Sequence, residues 1–175
     1  MEPGQDWKIA ALTTFTHVHL YFWSDNMTDE KYMELAYKQA KLAYAQGEVP
    51  VGAIIVLNNR VIASAHNQKD SSKCVTKHAE LIAIEQASLL LDNWRLVDCS
   101  MYVTLEPCPM CASAIQQARI SKVYIGCKSA FQQNTAIVDN IFNSINANRK
   151  VLKYGPILEE RCSSLLKKFF SERRG

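Results

Sequence analysis

Residues 104–111 read TLEPCPMC, and residues 77–86 read KHAELIAIEQ. The first stretch decides how the middle of the chain folds. MYVTLE (101–106) is a run of β-formers that ends at Pro107, and PMCASAIQQAR (109–119) then reads as a helix. Two cysteines, Cys108 and Cys111, therefore fall where a strand gives way to a helix. In the second stretch a helix starts near His78 and runs toward Leu90. His78 and Glu80 sit at its beginning.

Working outward, MTDEKYMELAYKQAKLAYAQGE (27–48) reads as a helix. Thr28 is a good N-cap, and Asp29 and Glu30 suit the positive end of the helix dipole. Met33, Ala36, Ala40 and Ala43 recur at helical spacing, and Gly47 offers a stop. VGAIIVL (51–57) and VIASA (61–65) read as two strands joined by Asn58 and Asn59, a pair that tolerates positive φ. HNQKDSSKCVT (66–76) reads as a polar loop. KVYIG (122–126) is a strand, FQQNTAIVDNIFNSI (131–145) is partly helical, and RKVLKYG (149–155) is a short strand. ILEERCSSLLKKFFSERR (157–174) is a final amphipathic helix. Strands alternating with helices predict an α/β domain with one mixed sheet between helical layers.

The 175 residues suit one domain with a substantial core. Hydrophobic residues at 48% and charged residues at 21% are ordinary for a soluble globular protein. A net charge of +3 permits an acidic partner without demanding one. Residues 1–26 lack a clean period, so we expect an N-terminal extension, with the folded domain over 27–175. That segment carries acidic Glu2 and Asp6 near its start and a single basic residue, Lys8, and its apolar run is interrupted and too short to span a membrane. The expectation is a cytoplasmic chain with reduced thiols. In that setting the close pair among the six cysteines reads as a metal site rather than a disulfide.

Cys108 and Cys111 lie one helical turn apart, and the positive end of a helix dipole favours the thiolate a metal needs. Pro107 suits the start of that helix. If the helix opening at His78 abuts it, one imidazole and two thiolates face one point. Zinc accepts this set at about 2.3 Å for sulfur and about 2.0 Å for nitrogen. A C-x-x-C pair is also common in closed structural sites, and Cys74, Cys99 or Cys127 would be the fourth ligand. Three ligands instead leave the fourth position to water, as in catalytic zinc sites. Glu80, two residues from His78, could bond that water, take its proton and pass it to a leaving group. The chemistry is then attack on an electrophilic carbon with protonation of a departing nitrogen: hydrolytic deamination.

His-Ala-Glu opening one helix and Pro-Cys-x-x-Cys opening the next resemble the zinc-dependent cytidine and deoxycytidylate deaminase superfamily. From about Tyr32 to Arg174 the chain resembles the bacterial tRNA-specific adenosine deaminases. GEVPVGAIIV, HN at 66–67, HAELIAI, NWRLVDCSMYVTLEPCPMCASAI and CSSLLKKFFSERR carry the likeness. The resemblance implies a three-layer α/β/α cytidine-deaminase-like domain with a mixed sheet. It implies one zinc per subunit on His78, Cys108 and Cys111, with Glu80 as the proton shuttle to N1 and the leaving amine of adenine. It places the backbone N–H of Ala79 and the side chain of Asn67 against the nucleoside, with Val49, Pro50 and Val51 walling the base.

The implied reaction converts the wobble adenosine of a tRNA to inosine, with the ACG arginine tRNA as target. The partners are a tRNA anticodon stem-loop and a second copy of the chain in a homodimer. Phe169, Phe170, Arg173 and Arg174 would contact RNA, joined by Lys77, which stands where the family usually has a small residue. KSAFQQNTAIVDN (128–140) replaces a segment that is usually glycine-rich, and Ser171 stands where an arginine often sits. Two rivals differ in kind: a deaminase of free bases or nucleotides, and a non-catalytic RNA-binding subunit with structural zinc.

Overall fold

The structure, a computed structural model, describes residues 27–130, 132–144 and 150–174. The expected N-terminal extension, residues 1–26, lies outside them.

Helix α1 (Asp29–Ala45) starts where Thr28 caps it: its hydroxyl accepts from the N–H of Lys31, and two acidic residues fill the first turn. Strands β1 (Gly52–Leu57) and β2 (Arg60–His66) form a hairpin through Asn58 and Asn59, both at positive φ. The loop expected over 66–76 contains one short helical turn, α2 (Lys69–Ser72). Helix α3 (Ala79–Leu90), strand β3 (Ser100–Leu105), helix α4 (Pro109–Gln117) and strand β4 (Lys122–Cys127) follow. Helix α5 (Gln132–Phe142), strand β5 (Leu152–Tyr154) and helix α6 (Glu159–Arg174) complete the order.

The strands form one mixed sheet in the order β2-β1-β3-β4-β5. β1 is antiparallel to both β2 and β3, whereas β3, β4 and β5 run parallel. The alternation of side chains along β1 divides the core in two. Ile54 and Val56 face α1 with Tyr32, Met33, Ala36 and Tyr102. Ala53 and Ile55 face the other layer, where α3, α4 and α5 supply Ile82, Ala83, Ile115, Val138 and Phe142. Helix α6 shares the α1 side: Phe169 meets Tyr44 edge to face, and Arg161 is ion-paired with Glu34. The expected mixed sheet between helical layers is thus observed.

The small residues of α1 serve close approach. Met33, Ala36, Ala40 and Ala43 are fully buried. A Cβ on Gly52 would come within 2.1 Å of the Ala36 carbonyl oxygen, so α1 rests directly on the backbone of β1. That contact fixes the chain just downstream of Val49 and Val51, which line the site described next.

Candidate active site

Two helix N-termini meet beside the C-terminal end of β3. His78 is the N-cap of α3 and Cys108 the N-cap of α4, and neither side chain caps its own helix. Both are therefore free to face each other. The Nδ1 atom of His78 lies 3.8 Å from Cys108 Sγ and 3.5 Å from Cys111 Sγ. The three ligand atoms are within 4.8 Å of one another, and among the described residues no fourth histidine, cysteine or carboxylate joins the group. Cys74, Cys99 and Cys127 stand apart from it. One borderline nitrogen and two sulfurs at this spacing fit a single tetrahedral zinc with a position left open. The proline at the first helical position of α4 is Pro109; Pro107, expected there from the sequence, lies in the link between β3 and the helix and lines the pocket.

The thiols are unequal. Hydrogen bonding from Cys111, and then from His78, brings Cys108 down to about 4, whereas neighbouring Cys108 and burial push Cys111 up. Cys108 is the readier thiolate. Its partnership with Cys108 in turn raises His78. Glu80, in the first turn of α3, is buried, and that burial pushes its carboxyl above the ordinary carboxylate range. A carboxyl shifted in this direction suits proton transfer to and from a reacting group.

A cleft of about 250 Å³ opens over these groups. Val49, Val51 and Leu105 supply apolar walls; His78, Glu80 and Cys108 form the floor; Asn67, Lys69, Ser129 and Asn134 supply polar edges. Pro50 is buried and does not line it. Ala79 is the first residue of α3 and fully buried. The N–H of Gln68 donates to the Lys77 carbonyl at 2.9 Å, closing the loop that brings Asn67 to His78.

Sequence reasoning missed two buried carboxylates at the edges. Glu48 is 1% exposed and accepts from Asn67 Nδ2 at 3.0 Å and from the N–H groups of Asp70 at 3.2 Å and Ser71 at 2.6 Å. Glu106 is 4% exposed and accepts from Lys153 Nζ at 2.8 Å, Thr135 Oγ1 at 2.6 Å and the Ser129 N–H at 3.2 Å. Burial pushes both carboxyls up, but these donors together outweigh it and hold both below the usual range. Their spacing carries no signal, because each partner arrives from a distant part of the chain.

The residues expected to contact RNA differ in their surroundings. Lys77 pairs with Glu85 at 3.0 Å. Phe169 is core, 4% exposed, and only Phe170, at 43%, offers an open face. Arg173 stacks over Phe169, donates to the Gly47 carbonyl and pairs with Asp70 at 3.3 Å. Arg174 ends α6, with its side chain outside the described residues. A second, shallower groove of about 400 Å³ between α1 and α6, lined by Tyr37, Arg161 and Lys168, holds none of the metal-binding group.

Residues 26–127 match the cytidine and deoxycytidylate deaminase zinc-binding region. The tRNA-specific adenosine deaminase of Bacillus subtilis is 40% identical over 146 residues, 83% of this chain and 91% of that protein. That of Rickettsia typhi is 42% identical, covering 81% of this chain and 97% of its own. The chain belongs to the tRNA-specific adenosine deaminase family. A solved tRNA:A34 deaminase, from work on A-to-I editing at the wobble position of transfer RNA, superimposes with a TM-score of 0.71 at 36% identity. It covers 77% of this chain and 98% of the other. The Bacillus subtilis guanine deaminase is more distant, 30% identical with a TM-score of 0.58, over 85% of this chain and 96% of its own. Membership makes this chain a zinc-dependent hydrolytic deaminase, and the His78–Cys108–Cys111 group fits the metal the family uses.

Proposed function

We propose that this chain converts adenosine to inosine at the wobble position of a tRNA anticodon, with the ACG arginine tRNA as a substrate. The observation that carries the reading is Glu80, buried beside a three-ligand group inside a cleft of nucleobase size. A purely structural zinc site has no use for a carboxylate there.

His78, Cys108 and Cys111 would hold the zinc, which supplies activation of the attacking water. Glu80 takes a proton from that water as its oxygen adds to C6 of adenine. It delivers the proton to N1 and then serves the departing amine, so water and adenosine leave as inosine and ammonia. The N–H of Ala79, at the positive end of α3, faces the polarised ring edge. Val49 and Val51 pack on the base from a tight turn at Pro50, in which the Val51 N–H donates to the Val49 carbonyl at 2.7 Å, and Asn67 binds the nucleoside. A loop adenosine suits the buried floor, because an unpaired base leaves its stack at less cost than a paired one.

Phe170 offers a stacking face for an unpaired base, and Lys77, Arg173 and Arg174 add positive charge. Exposed Leu89, Leu90, Trp94 and Met110, on α3, α4 and the link between them, support a homodimer. No helix among the described residues is long and apolar enough to cross a membrane, in keeping with work on tRNA in the cytoplasm.

The test is inosine formation on an ACG arginine tRNA transcript, read as A-to-G change in cDNA, with adenosine, cytidine and guanine assayed in parallel. Conversion confined to the wobble adenosine, and abolished in Glu80→Ala with zinc retained, is the expected result. Turnover of a free base without conversion of tRNA would move the chain to the branch of the guanine deaminases.

A further inference from the structure

We infer that Glu48 is a positioning residue for the substrate pocket: it fixes the Asn67 amide so that the side-chain oxygen, and not the NH₂, faces the bound nucleoside. The inference rests on the reading of Asn67 as a nucleoside contact and adds to it the polarity of that contact.

Every group that meets the Glu48 carboxylate is a donor. Ser71 N–H reaches Oε1, while Asp70 N–H and Asn67 Nδ2 share Oε2. The carboxyl is held below the usual range by those same donors, so it is ionised and can only accept. An acceptor-only partner admits one orientation of a neighbouring amide: nitrogen toward the carboxylate, oxygen away. Asn67 lines the cleft, and its own N–H is tied to the Val51 carbonyl at 3.0 Å, so the backbone cannot swing to compensate. The oxygen is therefore the end presented to the pocket. It takes a donor, an N–H or O–H, of the nucleoside.

Glu48 itself is locked from outside. Arg173 donates to the carbonyl of Gly47, the preceding residue, and pairs with Asp70, whose N–H the carboxylate accepts. The orientation is thus imposed by a chain of contacts that reaches the end of α6 and never touches the reacting atoms.

A polarity exchange tests this. In Glu48→Gln the new NH₂ must face a backbone donor whichever way the amide turns, Ser71 N–H on one side or Asp70 N–H and the Asn67 NH₂ on the other, so the fixed hold on the Asn67 amide is lost. In Asn67→Asp two carboxylates face each other. In Glu48→Gln with Asn67→Asp, the glutamine donates to one aspartate oxygen and the other again faces the pocket as an acceptor. We expect kcat/KM on the tRNA transcript to fall about tenfold in Glu48→Gln and about a hundredfold in Asn67→Asp. The double variant should exceed Asn67→Asp by at least about tenfold. Kd for the adenosine-containing anticodon stem-loop, measured in a Glu80→Ala background where nothing turns over, should follow the same order, with zinc content unchanged.

Simple addition of the two losses, or a Glu48→Gln protein that binds and turns over like the parent, overturns the inference. So does recovery of melting temperature in the double variant without recovery of kcat/KM, which would mark the pair as structural only. If the parent chain makes no inosine in tRNA but deaminates a free base, the proposed substrate fails. The same cycle run on that base then decides the role of Glu48 independently.

Discussion

The metal-binding floor and the polar rim of the cleft are built in opposite ways. The floor draws on two short segments, 78–80 and 108–111, each opening a helix that rests on the sheet. The rim draws on Glu48, Asn67, Ser71, Glu106, Ser129, Thr135 and Lys153, which no two neighbouring elements could supply. Chemistry that needs fixed distances to one ion is placed by local helix geometry. Recognition, which must wrap a ligand, is placed by long-range hydrogen bonds to two buried carboxylates. The first should therefore fail outright when one residue is lost, and the second should fail by degrees.

The floor gives the largest effects. Cys108→Ala leaves two ligands for an ion that needs three; zinc per subunit should fall below about a tenth, by metal analysis of the purified protein, with activity lost. A Cys108→Ala protein that keeps a full complement of zinc would break the contrast. Next comes the core under the tail. Phe169→Ala removes a buried ring and should cost about 3 kcal/mol in urea unfolding, whereas Phe170→Ala should cost less than about 0.5 kcal/mol and show itself only as weaker tRNA binding. Equal stability losses would mean that the two rings are not divided between core and surface.

The rim gives smaller, graded effects. Lys153→Met leaves the Glu106 carboxylate buried without its cation and should destabilise by about 2 kcal/mol, and Lys153→Met with Glu106→Gln should recover most of that loss. Acid stability is the finest probe. Glu48 and Glu106 both have folded pKa values below the ordinary carboxylate range. The stability they confer is complete above the unfolded value of about 4.3 and drains away as pH falls through the depressed folded values. Glu48→Gln and Glu106→Gln should each flatten the fall in stability between about pH 5 and pH 3, measured as denaturation midpoints. An unchanged slope would mean the carboxylates are not held by their donors.

The same division explains what could be read from the amino-acid order. Thr28 as a cap, the alanines of α1, the Asn58-Asn59 turn and the cysteine pair at the head of α4 are all local patterns, and each appears where its spacing places it. The short turn α2 escaped because the N–H groups of Asp70 and Ser71 at its start are satisfied by Glu48, 22 and 23 residues upstream, which no local pattern announces. Which phenylalanine of the tail is core could not be told from the order alone: helical rotation turns Phe169 inward and leaves Phe170 exposed, and Arg173 reaches Gly47 and Asp70 from far along the chain. Glu48 and Glu106 were invisible for a simpler reason: a buried carboxylate is recognised by its donors, and those lie up to 47 residues away.

The absence of any side chain at Gly52 carries a consequence for how this protein can change. A methyl group there would press into the Ala36 carbonyl, the Ala40 nitrogen and Gln39 Cβ at once, two of them backbone that cannot step aside. In a library of random variants sorted for folding, position 52 should return glycine alone. Position 47, where an added carbon meets only the far end of Arg173, should admit asparagine at modest strain. Adaptation of the pocket is thereby channelled away from the start of β1 and into Val49, Val51 and the α5 side of the cleft.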